Sequence, residues 1–374
     1  MKPLGKLVTI ATTIMLLAAP TATAAATDTD TDTDADRHGL QERLDDVVAA
    51  GAVGALAVVR DGHRSRQVNS GVAELGTTRD VPLHGRFRIG SITKTFVATV
   101  VLQLVDERRL RLDDPVDRWL PGVVPDGDRI NVRHLLNHTS GLYDFRLTIP
   151  LPPSQEFLDN RWRTWTANEQ IQRAVAHPPT SEPGEVFGYS NTNYLVLGEI
   201  IEKVTGRSYG KEVERRILRP MRLHRTTVPG TSPWIRGPHP HGYAPVEDGD
   251  GIRLVDFTEM NPTLFGASGE LVSTAADLHR FFAALLDGRL LPRRLLAEME
   301  TPGDPNRSYG LGLAWRDLSC GVRVYGNDGD ALAYQSWSFG TEDTRRQVTV
   351  ALTPDFSGDT DDAVDAFLDE AFCG

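Results

Sequence analysis

Lysine is scarce in this chain of 374 residues, although lysine and arginine together number 40. Arginine fills almost every basic position, and lysine occurs only at positions 2, 6, 94, 203 and 211. An arginine keeps its proton in proteins, whereas a partly desolvated lysine can release one. Lys94 lies in the stretch RIGSITKTF of residues 88–96, and we therefore take it as a candidate proton acceptor.

Positive charge is also in short supply, because 51 aspartates and glutamates give a formal net charge of -11. This balance gives no support for binding nucleic acid or an anionic membrane by charge. Cysteine occurs only as Cys320 and Cys373, which fits one disulfide in an exported protein, while a reactive thiol would leave the second cysteine unexplained. Neither cysteine has the spacing of a metal site, and His239 and His241 lack a third ligand at zinc spacing. We expect no metal and no cofactor.

No apolar run near the N-terminus is as long as a membrane span. The run from Leu7 to Ala19 is shorter than the roughly 20 residues that a bilayer needs, which disfavours a membrane anchor. Two lysines precede it and small residues follow it, so we predict a signal peptide over residues 1–26. Residues 27–37 form an acidic low-complexity leader that cannot bury anything. The mature protein is thus expected to be secreted, without stable membrane insertion.

The order of the periodic segments predicts an α+β fold. A helix over residues 39–50 is followed by a strand that turns at residues 61–62 and by a second strand near residues 66–73. Helical patterns fill the middle of the chain, and short antiparallel strands return before a final amphipathic helix. We predict one domain over residues 38–374, with a sheet subdomain at about 38–105 and 265–374 and a mostly helical subdomain inserted at about 106–264.

Ser91 and Lys94 are three residues apart, so both project from one face of the helix that is expected to begin near them. A helix N-terminus disfavours a further positive charge, and a desolvated lysine there could take the proton of the serine. The alternative is a chance Ser-x-x-Lys pattern in which the serine only caps the helix.

Tyr189 and Asn191 lie in a loop immediately before an apolar helix. A tyrosine can relay protons if a nearby cation lowers its pKa, and an asparagine can hold a substrate amide. The alternative is that Asn191 or Thr192 simply caps the helix.

A third candidate feature is the segment GVRVYGNDGDALAYQSW near the C-terminus. Gly329 would allow a substrate to approach its backbone closely. The alternative is a plain hairpin turn at Asn327, Asp328 and Gly329.

These elements occur in an order that resembles the penicillin-recognising serine hydrolases. The chain is similar to the secreted D-alanyl-D-alanine carboxypeptidases of Streptomyces type, close to the class C β-lactamases, from about Gly39 to Gly374. The matching phrases include FRIGSITKTF, LLNHTSGLYD, YSNTNYLVLG, SYGLGL, RDLSCGVRVYG and the final AFCG. The resemblance implies a β-lactamase/transpeptidase-like catalytic domain, an antiparallel sheet flanked by helices, and a disulfide between Cys320 and Cys373.

The resemblance also implies a role for each candidate residue. Ser91 would be the acylated nucleophile and Lys94 its proton acceptor. Tyr189 would return the proton to the departing amine and later help to activate water, and Asn191 would hold a substrate amide. Backbone N–H groups of Ser91 and Asp330 would form the oxyanion hole.

The chain departs from these relatives at the strand beside the nucleophile. They have His-Thr-Gly-Thr where this chain has Asn327, Asp328, Gly329 and Asp330, and they have arginine at the position aligned with Ala314. That arginine and the two threonines receive the terminal carboxylate of the substrate. Two like charges about 4 Å apart repel by roughly 1 kcal/mol even in water, so a free carboxylate should bind poorly if both aspartates line the site.

Three interpretations follow, and the sequence leaves open whether Arg316 or Arg323 compensates for the missing cation. The first is a D-alanyl-D-alanine carboxypeptidase with altered substrate binding. The second is an esterase, D-amino-acid amidase or aminopeptidase of the same fold. The third is a non-catalytic binder of peptidoglycan fragments or β-lactams. The expected partner is a small peptide or ester, such as a peptidoglycan stem peptide or a β-lactam, and we expect a monomer.

Overall fold

The computed structural model describes residues 31–249 and 251–374. Its central element is a six-stranded antiparallel sheet. The predicted signal peptide, residues 1–26, lies outside the described residues. The strand order is β2-β1-β10-β9-β8-β7. These strands are β1 (Ala52–Asp61), β2 (Arg64–Gly71), β7 (Ala314–Asp317), β8 (Arg323–Asp330), β9 (Gln335–Thr341) and β10 (Arg346–Pro354). Two small antiparallel pairs accompany the sheet, namely β3 (Phe87–Arg88) with β6 (Val272–Ser273) and β4 (Tyr243–Asp248) with β5 (Gly251–Asp256).

Ten α-helices in the described ranges surround and extend the sheet. They are α1 (Thr31–Ala49), α2 (Ile92–Asp106), α3 (Val132–Leu136), α4 (Gln155–Asp159), α5 (Ala167–Val175), α6 (Thr192–Thr205), α7 (Tyr209–Val213), α8 (Ala275–Leu286), α9 (Arg293–Met299) and α10 (Asp361–Cys373). A π-helical segment, Glu214–Leu218, continues α7. The predicted α+β class is confirmed, with strands from both ends of the chain and helices between them.

Both faces of the sheet are covered. Helices α1 and α10 pack on one face, and α8 and α2 pack on the other. Along β1 the side chains alternate accordingly, since Ala55 and Ala57 belong to the core beneath α1 and α10 while Leu56 belongs to the opposite core. This double cover explains why β1 reads as an almost continuous apolar run.

Helix α2 is buried around nearly its whole circumference, as expected for a helix that is apolar on every side. Its first turn lies next to β8 of the sheet, and α6 packs against it from the helical part of the chain. Any polar side chain in the first turn of α2 is therefore enclosed, which matters for Lys94.

Two expectations differ from the structure at the level of secondary structure. Helix α1 begins at Thr31, so residues 31–37 of the predicted leader are helical. Asn327, Asp328 and Gly329 lie within strand β8, so the hairpin-turn alternative is wrong. A disulfide joins Cys320 to Cys373, as the resemblance implied, and ties α10 to the turn before β8. None of the described helices has the length and apolarity to cross a bilayer.

Candidate active site

Ser91 occupies the N-cap position of α2, directly after a glycine in the left-handed conformation. Gly90 has a φ of 48°, and a Cβ there would lie 2.7 Å from the nitrogen of Asp330. The Ser91 N–H has no acceptor among residues 31–249 and 251–374. The serine is therefore held at a positive helix end, with a free N–H beside the edge of β8.

The amine of Lys94 is completely buried and makes three hydrogen bonds. Lys94 Nζ donates to Ser91 Oγ at 2.9 Å, to Asn191 Oδ1 at 2.8 Å and to the carbonyl of Ser268 at 2.8 Å. Burial lowers the pKa of Lys94 to about 7, with Asp144 opposing and Arg146 reinforcing the shift. A substantial fraction of Lys94 is therefore neutral at neutral pH, as a proton acceptor for Ser91 must be, and this catalytic role remains a prediction.

Tyr189 lies on the other side of Ser91. Its hydroxyl is 2.7 Å from Ser91 Oγ, and Lys94 Nζ lies 4.9 Å from the centre of its ring. Although the residue is 42% exposed, its hydroxyl end lies against Ser91, and desolvation raises the pKa of Tyr189 well above its ordinary value. The neighbouring cation does not lower this pKa, contrary to the condition stated from the sequence. Tyr189 is thus a neutral phenol that can donate a proton.

Asn191 links Lys94 to Asp144 through side-chain hydrogen bonds that the sequence did not reveal. Its Oδ1 accepts from Lys94, and its Nδ2 donates to Asp144 Oδ2 at 2.8 Å. Asp144 stands in the phrase LLNHTSGLYD but has no independent motif, and the Ser268 carbonyl leaves no side-chain signal at all. The contact between Asn191 and a substrate amide remains a prediction.

Gly329 brings β8 against the nucleophile. A Cβ on Gly329 would lie 2.0 Å from the carbonyl oxygen of Ile89 and 2.8 Å from the nitrogen of Ser91. The glycine therefore allows two backbones to meet, whereas the sequence suggested only a close approach by substrate. The nearby backbone of Asp330 fits the predicted oxyanion hole, which remains a prediction.

Asp328 and Asp330 line a cavity of about 250 Å³ that also includes Arg316. Two further carboxylates of α10, Asp361 and Asp365, share this cavity. Arg316 forms an ion pair with Asp365, so its positive charge is only partly available to offset the charges of Asp328 and Asp330. Desolvation raises the pKa of Asp328, while Arg316 and Lys94 oppose the shift.

The side chains of Arg323 and Asn327 bind other residues of the protein. Arg323 makes a paired contact with Asp317. Asn327 is buried and donates to Thr95 Oγ1 at 3.2 Å, so its side chain braces β8 against α2. Its predicted contact with substrate remains a prediction.

His138 packs against the ring of Tyr189. Its buried ring lies 4.3 Å from that of Tyr189, and its Nδ1 accepts from the N–H of Ser190 at 3.3 Å. Burial, with the charge of Lys94, lowers the pKa of His138 well below its ordinary value. It has no contact with Ser91 Oγ, which fits the structural role expected from the sequence.

A serine whose proton can pass to a buried lysine, beside a phenol that can protonate a leaving group, defines a serine acyl-hydrolase. Residues 40–371 match the family model described as Beta-lactamase. The chain belongs to this β-lactamase and penicillin-binding protein family, and the predicted β-lactamase-like fold is confirmed.

Three relatives show the range of the family. A D-stereospecific amidohydrolase from Streptomyces sp. is 41% identical with a TM-score of 0.81, covering 90% of this chain and 99% of that one. D-amino acid amidase from Ochrobactrum anthropi SV3, complexed with L-phenylalanine amide, is 29% identical with a TM-score of 0.77, covering 90% and 98%. Penicillin-binding protein 4 of Amycolatopsis lactamdurans is 31% identical over 316 residues, which cover 77% of this chain and 78% of that protein. The chain spans only 62% and 52% of two Bacillus subtilis relatives.

Proposed function

We propose that the chain hydrolyses amides or esters of D-amino acids through an acyl-enzyme on Ser91, in preference to peptides that end in a free carboxylate. The observation that carries this proposal is the negative charge on β8 on either side of Gly329, the residue whose backbone meets that of Ser91. Four carboxylates and one guanidinium line the cavity at Gly329, and that guanidinium is already paired with Asp365.

This charge distribution acts on the two substrate classes in opposite directions. A carboxylate placed about 4 Å from one uncompensated aspartate is disfavoured by roughly 1 kcal/mol in water and about 4 kcal/mol at an effective dielectric of 20. An α-ammonium group or a neutral amide at the same place meets attraction or no penalty. The site therefore suits a substrate with a free amine and no terminal carboxylate next to the scissile bond.

The hydrogen bonds of the site suggest the order of proton transfers. Neutral Lys94 takes the proton of Ser91 as Oγ attacks the acyl carbon, and the oxyanion would face the N–H groups of Ser91 and Asp330. Tyr189 then gives its proton to the leaving nitrogen or oxygen, and Lys94 passes the proton it took from Ser91 to the Tyr189 oxygen. The C–N or C–O bond therefore breaks with no net charge left on the enzyme. Water enters by the reverse route and releases the acid from Ser91.

The D configuration of the substrate is supported by two relatives. One of the solved relatives named above is a D-stereospecific amidohydrolase and the other is a D-amino acid amidase, and each covers 90% of this chain. Carboxypeptidase activity, the function first expected from the resemblance, becomes the alternative. The experiment must distinguish it from amidase or esterase activity. Secretion and the monomeric state remain predictions from the sequence.

The test compares D-phenylalanine amide, its L enantiomer, a p-nitrophenyl ester and a D-alanyl-D-alanine peptide with a free C-terminus. We expect the D-amide and the ester to be cleaved faster than the free acid. A triple variant, Asp328→Thr, Asp330→Thr and Ala314→Arg, should shift the preference toward the free acid, because it restores a cation and removes two like charges.

A matched control removes two aspartates of α1, Asp45→Thr with Asp46→Thr, and should leave the preference unchanged, because α1 packs mainly on β1 and β2, several strands away from β8. Faster cleavage of the free acid by the native enzyme would overturn the proposal in favour of a carboxypeptidase. Stable acylation of Ser91 by penicillin, seen by intact mass, without turnover of any amide or ester would favour the non-catalytic binder.

A further inference from the structure

A second cavity, of about 300 Å³, lies between the β1–β2 hairpin and the N-terminus of α8. None of the proposed catalytic residues lines it. Its walls include Arg60, Arg225, Arg280 and His84, and no carboxylate is among the described residues that line it. In a chain with a net charge of -11, such a group of cations is a local feature that the overall composition does not predict.

The three guanidinium groups are only partly neutralised. That of Arg225 has no ion pair or hydrogen bond with any residue in the described ranges, and Arg60 Nε donates to the carbonyl of Gly62 at 3.0 Å. Arg280 forms an ion pair with the buried carboxylate of Asp277. At least two full positive charges therefore remain at the cavity.

The backbone adds donors to the same wall. Helix α8 has 12 residues, and Thr274 caps it by accepting from the N–H of Asp277. Ala275 and Ala276 line the cavity wall, and their N–H groups have no acceptor within the described part of the chain. Free N–H groups at the positive end of a helix favour an anion.

A buried histidine lies beside these cations. His279 also lines the cavity, is 4% exposed, and its Nε2 has no hydrogen-bond partner among the described residues. Burial, together with the charge of Arg60, lowers the pKa of His279 to about 3. An anion in the cavity would offset the charge of Arg60, whereas Nε2 itself is enclosed by protein atoms.

From these groups together we infer that the cavity is a binding site for a phosphate-bearing ligand, separate from the Ser91 site. Guanidinium forks and helix N–H groups match the oxygens of a phosphoryl group. A neighbouring cavity of about 270 Å³ shares Arg60 and Arg280 and adds Arg222. It also adds Arg289, which is paired with the carboxylate of Asp287 on the same wall. The excess of cations across the two cavities favours a ligand with more than one phosphoryl group.

The experiment titrates the full protein with inorganic phosphate, tripolyphosphate and citrate by calorimetry, in a phosphate-free buffer of low ionic strength. We expect tripolyphosphate to bind more tightly than phosphate, because it can reach both cavities, and more tightly than citrate, whose carboxylates fit the helix end less well. Arg225→Gln and Arg60→Gln should each weaken tripolyphosphate binding by about tenfold, the loss typical of one charge-assisted hydrogen bond.

The matched control is Arg43→Gln, which removes an exposed arginine from α1 on the opposite face of the sheet. It should leave tripolyphosphate binding unchanged, and hydrolysis of an ester substrate checks that each variant is folded. No detectable binding of tripolyphosphate would overturn the inference. Equal weakening by Arg43→Gln would reduce the effect to overall charge, and citrate binding as tight as that of tripolyphosphate would refute a phosphate site.

Discussion

Replacing Lys94 by arginine tests whether this position must lose a proton. With a pKa of about 7, roughly ten in eleven Lys94 side chains are neutral at about pH 8. Arg88 is 2% exposed, and burial lowers its pKa to about 10. An arginine at position 94 with that pKa would be neutral in about 1% of molecules at about pH 8. We therefore expect Lys94→Arg to slow acylation of Ser91 by about 100-fold, which corresponds to about 2.7 kcal/mol.

The assay follows the burst of p-nitrophenol from an ester, which reports acylation before turnover. Because neutral Lys94 is the proposed base, kcat/KM of the native enzyme should rise with pH and level off above about pH 7. Lys203→Arg, an exposed replacement on α6, serves as the control and should change nothing, while thermal unfolding shows whether each variant is folded. Acylation by folded Lys94→Arg within a few-fold of the native rate would refute the reasoning, as would a native profile that stays flat through this range.

Two further substitutions test the surroundings of the nucleophile. Asn191→Asp places a carboxylate oxygen where the amide oxygen now lies 2.8 Å from Lys94 Nζ. Because an opposite charge favours the ammonium form of Lys94, the rise of kcat/KM should move to higher pH. An unchanged pH profile would contradict this reasoning. Gly329→Ala places a Cβ 2.8 Å from the nitrogen of Ser91, so we expect loss of acylation and a free energy of unfolding lower by about 1–3 kcal/mol. Gly251→Ala, whose nearest neighbour would be 3.7 Å away, should leave both unchanged, and similar effects of the two alanines would argue against a steric cause.

Local patterns were sufficient to predict several of the elements and the chemical groups. The three-residue spacing of Ser91 and Lys94 predicted that both would lie on one face of a helix, and α2 begins at Ile92. Alternating segments near the C-terminus predicted antiparallel strands, and the structure contains β7 to β10 there. The start of α1 was missed because its first residues are polar, and a short-range apolar pattern cannot mark such a turn.

The assembly of the site depends on contacts between distant segments. Tyr189 and Ser91 are 98 residues apart, yet their hydroxyl oxygens are 2.7 Å apart. The third acceptor of Lys94 is the backbone carbonyl of Ser268, 174 residues away, which no side-chain pattern could have indicated. The direction of the Tyr189 pKa was likewise decided by desolvation, which outweighs the nearby amine.

The sequence by itself determined which residue types could carry out acyl transfer, because nucleophile, base and helix start are set within a few residues of Lys94. Only the tertiary structure decided how those groups behave. Complete burial moves the pKa of Lys94 to about 7, and the pairing of Arg316 with Asp365 leaves the carboxylates beside Gly329 in excess. Solvent exposure and the distances between charges arise from long-range packing, so proton affinity and substrate charge preference could not be read from local spacing.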